Sequence, residues 1–355
     1  MKALRFHGNK DLRLDDIPIP EVKKGYVKVK PAWAGICGTD LHEYLIGPML
    51  IPTTAHKITG EKVPVGIGHE MSGLVEEVGD GVEHYKVGDR VVLEPIIYDG
   101  TCGACQAGSF NSCYSNGFIG ISGFGGAFSE HIVVEENYLN HLPDNVSMRT
   151  GALVEPLAVA MRAIANGNVQ ASDTVLILGG GPIGLAITLC LRSIGVKNII
   201  LSEMAAKRKT LALEMGASHV LDPSKDDVVA RTLELCEGAG GVDVAFECAG
   251  VQPAVDVAFR TVRARGTIVG VSVWEGPASL DINKLVFRER RYVGTAAPEH
   301  KDFEAVLKAL KEERLKPDGL VTKTVGIHEI EQEGYKSLIE DKANHAKVLV
   351  EVGGG

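Results

Sequence analysis

The stretch Thr174-Val-Leu-Ile-Leu178 runs without a break into Gly179-Gly180-Gly181-Pro182-Ile183-Gly184, and that junction constrains the fold more than any other feature of the chain. A run of β-branched and aliphatic residues makes a strand with no polar face, which is stable only when both of its faces are covered. The glycines then permit backbone geometries closed to other residues, and Pro182, with its fixed φ, suits the first turn of a helix. The apolar pattern of residues 183–195 continues as that helix. The unit recurs along the chain. Apolar runs at 198–202, 219–222, 242–247 and 266–273 alternate with helical stretches at 205–215, 225–236 and 252–265. Such alternation, with all-apolar strands, predicts an α/β domain built on a doubly wound parallel sheet.

At 355 residues the chain has room for two domains of roughly 150 residues each. Residues 1–150 differ in character from the rest. Alternating segments at 26–33, 74–78, 90–93 and 131–135, punctuated by Gly79-Asp80-Gly81 and Leu142-Pro143-Asp144, predict a β-rich domain with long loops. Residues 301–340 carry an amphipathic helical pattern through Phe303, Val306, Leu307 and Leu310, and 346–352 read as a strand. A net charge of −9 with no Lys/Arg block excludes phosphate-backbone binding, so no nucleic-acid partner is expected, and Arg288-Glu-Arg-Arg291 reads as a charged face. The first residues offer no signal-peptide core. The longest apolar run, 175–191, is broken by Gly179, Gly180, Gly181, Pro182 and Gly184, so no membrane span is predicted. Three of the seven cysteines fall within residues 102–113, which in a chain expected to be cytoplasmic suggests metal ligation rather than disulfides. Cys190 and Cys236 sit in apolar helical patterns and read as core thiols, while His84, His300 and His345 read as solvated.

The glycine loop has the form that binds a dinucleotide. Gly179 permits the tight turn, Gly181 lets a pyrophosphate approach the helix N-terminus, and Gly184 allows close helix–strand packing. Glu203, at the end of the next strand, is placed to bind ribose hydroxyls and to repel a 2′-phosphate, which favours NAD over NADP, although Arg208 could accommodate a phosphate. Three distant segments carry metal-ligand types: Gly35-Ile-Cys37-Gly-Thr39-Asp40-Leu-His42, Gly68-His69-Glu70-Met-Ser-Gly73 and Gly151-Ala-Leu-Val-Glu155-Pro156. Thiolate, imidazole and carboxylate are donors zinc accepts, but spacing alone does not bring such distant loops together. A second group is local: Cys102-x2-Cys105-x7-Cys113, with Asp99 as the candidate fourth ligand and three reduced cysteines without metal as the alternative.

Jointly these motifs resemble the zinc-dependent medium-chain dehydrogenases. The frame Gly68-His69-Glu70-x2-Gly73-x5-Gly79-x2-Val82 is similar to that family's zinc-loop signature, and the likeness spans essentially the whole chain. It implies a GroES-like β-rich catalytic domain at 1–155, a Rossmann domain at 156–292, and a return to the catalytic domain at 293–355. Within the family, Leu41-His-Glu-Tyr-Leu-Ile-Gly-Pro48, Gly60-Glu-Lys-Val-Pro64, Gly117-Phe-Ile-Gly120 and Gly151-Ala-Leu-Val-Glu-Pro-Leu-Ala-Val159 are similar to butanediol dehydrogenases of the (R,R) type. That likeness implies reversible hydride transfer between NAD and a small vicinal diol or acyloin, (R,R)-butane-2,3-diol to acetoin first among them. The enzymatic alternatives are a polyol such as sorbitol or xylitol, or L-threonine. The alternative outside the enzymes is an inactive binding or structural protein, and joint retention of Cys37, His69, Glu70 and Glu155 weighs against it.

The resemblance also implies roles. Cys37 and His69 hold a catalytic zinc, with Glu70 and Glu155 contributing directly or through water. Thr39 hydrogen-bonds the alcohol, His42 passes the proton outward, and Asp40 orients His69. Pro182 and Ile183 join the glycine-loop contacts to the cofactor, and Val271, Thr295 and Ala296 fall where the nicotinamide is contacted. Cys102, Cys105 and Cys113 match the last three ligands of the family's structural zinc, with Asp99 in place of the first cysteine. Family members assemble as dimers or tetramers, so a homo-oligomer is expected.

Overall fold

In the computed structural model, which describes residues 1–353, Thr174–Leu178 lies inside a six-stranded parallel sheet. Strand order across the sheet is His219–Leu221, Asn198–Ser202, Thr174–Leu178, Val242–Glu247, Val262–Gly270 and Arg291–Gly294. The order therefore reverses between Thr174–Leu178 and Val242–Glu247, which opens a crevice at the carboxyl ends of those two strands. Val175, Leu176 and Ile177 are fully buried, as a strand covered on both faces requires. The crossover helices are Pro182–Ser193, Ala206–Glu214, Val228–Leu235 and Gln252–Thr261. The third begins later than its apolar pattern because Asp227 caps it, Oδ1 accepting the N–H groups of Val229 and Ala230. The fourth ends earlier than expected. Val262 already pairs with Val242, and the Arg263 Nε donates to Asp243 Oδ1 at 2.7 Å, so residues 262–265 belong to the strand.

This sheet and its helices form one compact unit, Pro156–Pro298 with Glu312–Leu320. The expected return to the first domain at 293 falls instead at Glu299. The reason is the strand Arg291–Gly294, whose parallel register with Val262–Gly270 ties residues 291–294 to the six-stranded sheet.

The other unit comprises Met1–Glu155, Glu299–Lys311 and the chain from Val321 onward. Its main sheet follows the path Leu139–His141, Arg90–Leu93, Glu70–Val78, Tyr26–Gly35, Lys347–Glu351 and Val321–Gly326, with Ile132–Glu135 also pairing Tyr26–Gly35. Val27, Val29, Val91, Val348 and Val350 fill its core with no exposed surface. The helix His300–Lys311 buries Phe303, Val306, Leu307 and Leu310, the stripe its sequence carries. Val321–Gly326 departs from the helical pattern expected across 301–340. Its Val-Thr-Lys-Thr-Val run is β-branched at alternate and adjacent positions, and it pairs in parallel with Lys347–Glu351. Among the described residues no helix is long and apolar enough to cross a membrane.

Candidate metal centre and dinucleotide loop

Strand register assembles the first cluster. Tyr26–Gly35 pairs antiparallel with Glu70–Val78 so that Gly35 stands opposite Glu70, and the loops on either side bring Cys37 next to His69. The approach at Gly35 is close enough that a Cβ there would lie 1.9 Å from Glu70 Oε2, which leaves glycine as the residue that fits. Cys37 is the N-cap of the helix Gly38–Ile46, and its N–H donates to Asp40 Oδ2 at 2.8 Å in a capping-box arrangement. One ligand atom each from Cys37, His69 and Glu70 lies within 4.8 Å of the others. Thr39 and His42 ride on the same short helix, with Thr39 Oγ1 3.7 Å from Cys37 Sγ and His42 half-buried.

The electrostatics fit a cation. Burial works against a charged His69, yet the negative charges of Asp40 and Cys37 hold its pKa well above the ordinary imidazole value. Asp40 Oδ1 stands 3.6 Å from His69 Nδ1, and both atoms are buried without a hydrogen-bond partner. Negative groups around a buried imidazole favour positive charge there, and thiolate, imidazole and carboxylate are donors that suit a divalent ion.

The expected carboxylates separate into two situations. Glu70 is fully buried and ion-paired with the buried Lys347, whose Nζ donates to Glu70 Oε1 at 2.6 Å and to the Ile36 carbonyl at 3.0 Å. Glu155 is buried at the start of the helix Val154–Gly167 but lies outside the three-residue cluster. Burial pushes its carboxyl up to about 7, with His69 opposing the shift and Glu70 adding to it.

Asp99, Cys102, Cys105 and Cys113 form the second cluster, with ligand atoms again within 4.8 Å of one another. Cys102 Sγ lies 3.6 Å from Cys105 Sγ and 3.9 Å from Cys113 Sγ, and none is in a disulfide. Asp99 Oδ1 accepts the N–H groups of Thr101 and Cys102, both at 2.8 Å, which folds the loop so that the carboxylate faces the thiols. Backbone N–H groups of Tyr114 and Cys105 lower the Cys102 pKa, whereas burial raises Cys105 to about 12.

The glycine loop shows which glycines the fold itself needs. Gly179 has φ +107°, and a Cβ on Gly184 would strike the Gly179 carbonyl oxygen at 2.0 Å. Gly181, the N-cap of Pro182–Ser193, has an ordinary φ of −70°, and a Cβ there would meet nothing within 4 Å. The protein places no demand for glycine there, so the open face at the helix N-terminus is room for a ligand, and it suits an anion. Ile183 follows Pro182 in the first turn. Glu203 stands at the loop and holds its backbone: Oε2 accepts the Gly180 N–H at 2.9 Å, and Oε1 accepts those of Met204 and Ala205. Arg208, on the helix Ala206–Glu214, is partly buried; burial lowers its guanidinium pKa and the charge of Glu203 opposes that. Val271, Thr295 and Ala296 all lie just past the carboxyl ends of their strands, with the Val271 N–H donating to the Glu247 carbonyl and that of Thr295 to the Gly270 carbonyl.

The alcohol dehydrogenase GroES-like domain family matches residues 23–144, and the zinc-binding dehydrogenase family matches residues 182–312. The (R,R)-butanediol dehydrogenase of Bacillus subtilis is 44% identical over 353 residues, covering 99% of each chain. The chain belongs to the zinc-binding dehydrogenases. The (R,R)-butanediol dehydrogenase of Neisseria gonorrhoeae is 37% identical with the same coverage. The X-ray structure of 2R,3R-butanediol dehydrogenase from Bacillus subtilis superposes with a TM-score of 0.92 at 43% identity, covering 99% of both chains.

Two further residues shape this dehydrogenase without standing out in its sequence. Lys347 sits in a C-terminal strand whose apolar neighbours conceal it, and its partner Glu70 is 277 residues away. Glu247 ends the strand Val242–Glu247 with no exposed surface and collects donors from both flanking loops: the N–H groups of Ala249 and Gly250, the Ser272 hydroxyl and the Trp274 indole. It pins the loops at the crevice of the sheet, and an acid directly after the apolar Val244-Ala-Phe246 is its one visible signal. His300 is exposed, as expected of a solvated residue, whereas His345 departs from that expectation. His300 pairs with Glu94 at 2.8 Å, and the His345 side chain is largely buried.

Proposed function

We propose that this zinc-binding dehydrogenase oxidises (R,R)-butane-2,3-diol to acetoin, and reduces acetoin and diacetyl in reverse, with NAD as the hydride carrier. The observation that carries the reading is full-length likeness to (R,R)-butanediol dehydrogenases joined to a largely buried cluster whose donors and charge suit zinc. Zinc supplies Lewis acidity that makes an alcohol more acidic, and NAD supplies the hydride acceptor. Cys37 and His69 would hold the metal, with Glu70 the carboxylate in the cluster and Glu155 near enough to feel its charge. Asp40 holds the Cys37 backbone and faces His69, fixing two ligands with one carboxylate. The Thr39 hydroxyl would accept a hydrogen bond from the alcohol and, as that proton moves onto it, give up its own, and His42, half-buried on the same helix, would pass a proton outward. Gly181 and Glu203 would seat the pyrophosphate and the ribose, and Val271, Thr295 and Ala296 would border the nicotinamide. The cluster Asp99, Cys102, Cys105 and Cys113 would hold a second, structural zinc.

Zinc-loaded protein is expected to form NADH with (R,R)-butane-2,3-diol and to leave the (S,S) isomer unreacted. Rates confined to sorbitol, xylitol or L-threonine would overturn the substrate assignment and leave the hydride chemistry standing. Glu203→Ala tests the cofactor. Loss of charge-assisted hydrogen bonds worth about 1.5–3 kcal/mol is expected to raise KM for NAD by roughly tenfold or more, and removal of the carboxylate is expected to narrow the preference over NADP. Unchanged KM values for both cofactors would remove Glu203 from the site.

A further inference from the structure

In and beside the Cys37–His69–Glu70 cluster, buried polar atoms without a hydrogen-bond partner include His69 Nδ1, Glu70 Oε2, Asp40 Oδ1 and the Tyr335 hydroxyl. Tyr335 is completely buried, and no step of the reaction proposed above uses it. It closes Ile330–Tyr335, a π-helical turn, a form rare in proteins and found preferentially at functional sites. That turn packs on the segment carrying the metal ligands. The Tyr335 ring stands edge-on to Tyr44 at 5.5 Å, and Tyr44 lies one helical turn beyond Asp40 on the same face of Gly38–Ile46. The Tyr44 hydroxyl in turn donates to Glu331 Oε1 at 3.0 Å, which clamps the π-turn to the helix. Gly334 presses so closely on Ile36 that a Cβ would come within 2.6 Å of Ile36 Cδ1. Burial first, then the charges of Asp40 and Cys37, hold the Tyr335 phenol well above its ordinary pKa, so the hydroxyl is a protonated donor in the field of those two groups.

A buried hydroxyl with no partner is destabilising, and phenylalanine would fill the same volume without that cost. Packing alone therefore does not account for a tyrosine here. We propose that Tyr335 is a positioning residue for the metal centre, its hydroxyl donating to Asp40 Oδ1 and, through Asp40, fixing the ring of His69. With the metal bound, the Tyr335 O–H and the His69 Nδ1–H would both donate to the Asp40 carboxylate, bonds the structure leaves unmade, while Oδ2 already holds the Cys37 N–H. Groups that orient a metal-ligating histidine set its affinity, and their loss weakens metal binding by roughly 10–100-fold. The inference rests on Cys37 and His69 holding zinc.

The test is Tyr335→Phe, compared with the native chain and with Cys37→Ser, which removes this site and keeps the cysteine lobe. Zinc release to a chelator is expected to quicken by about tenfold or more in Tyr335→Phe, and the cobalt(II) absorption attributable to the Cys37 site is expected to shift. The melting temperature of the metal-free variant is expected to match or exceed that of the native chain. Zinc release at the native rate would overturn the proposal, as would a lower metal-free melting temperature, since that would assign the hydroxyl to the fold. A native chain that holds no more zinc than Cys37→Ser would instead remove the metal reading on which the proposal rests.

Discussion

Replacing Lys347 with methionine is expected to destabilise the unit that contains it by about 3–5 kcal/mol, read as a fall in the denaturant midpoint of the metal-free protein. Lys347 and Glu70 are an ion pair with essentially no solvent contact, and the Nζ also binds the Ile36 carbonyl just before Cys37. Removing the cation leaves a carboxylate buried without a counter-charge, and desolvation of such a group outweighs what the apolar replacement gains. The pair is not itself a source of large net stability. Lys347→Met combined with Glu70→Gln is therefore expected to recover most of the loss, because the uncompensated charge disappears with it. A single variant within about 1 kcal/mol of the native chain would show that Glu70 takes up a proton or finds another partner at little cost.

Cys37→Ser is expected to leave the fold in place and to lower kcat/KM for diol oxidation by about a thousandfold or more. The Asp40 cap is held through the Cys37 backbone N–H, so the start of Gly38–Ile46 survives loss of the sulfur. What is lost is a thiolate donor, and with it the Lewis acidity that is worth several kcal/mol in the barrier, each ~1.4 kcal/mol being tenfold in rate. Steady-state NADH formation together with zinc content checks this. A variant that loses its zinc yet keeps the native rate would separate the metal from the chemistry.

The glycine loop and its flanking strands are legible in the sequence because their constraints are local. All-apolar strands imply a covered sheet, and Gly179 and Gly184 answer to contacts that the loop itself and its neighbouring strand provide. The candidate ligands are legible as chemical types, and the family frame around His69 joins them. Their separation into a tight trio of Cys37, His69 and Glu70 with Glu155 outside it is not, since it depends on the register between Tyr26–Gly35 and Glu70–Val78. Lys347, Glu247 and Tyr335 escape for a related reason. Each reads as an ordinary residue in its own segment, and its significance arises from buried groups that other segments bring to it. The strand Val321–Gly326 is hidden by the helical stripe before it, because parallel pairing with Lys347–Glu351 leaves no local turn to announce it.

We propose the Cys37–His69–Glu70 cluster as a zinc site that serves diol oxidation. The most direct measurement is the rate of NADH formation from (R,R)-butane-2,3-diol before chelation, after chelation and after zinc is returned. The rate is expected to vanish with the metal and to return with zinc in the native chain, while Cys37→Ser stays inactive throughout. Diol oxidation at an undiminished rate by the zinc-free protein would contradict the claim.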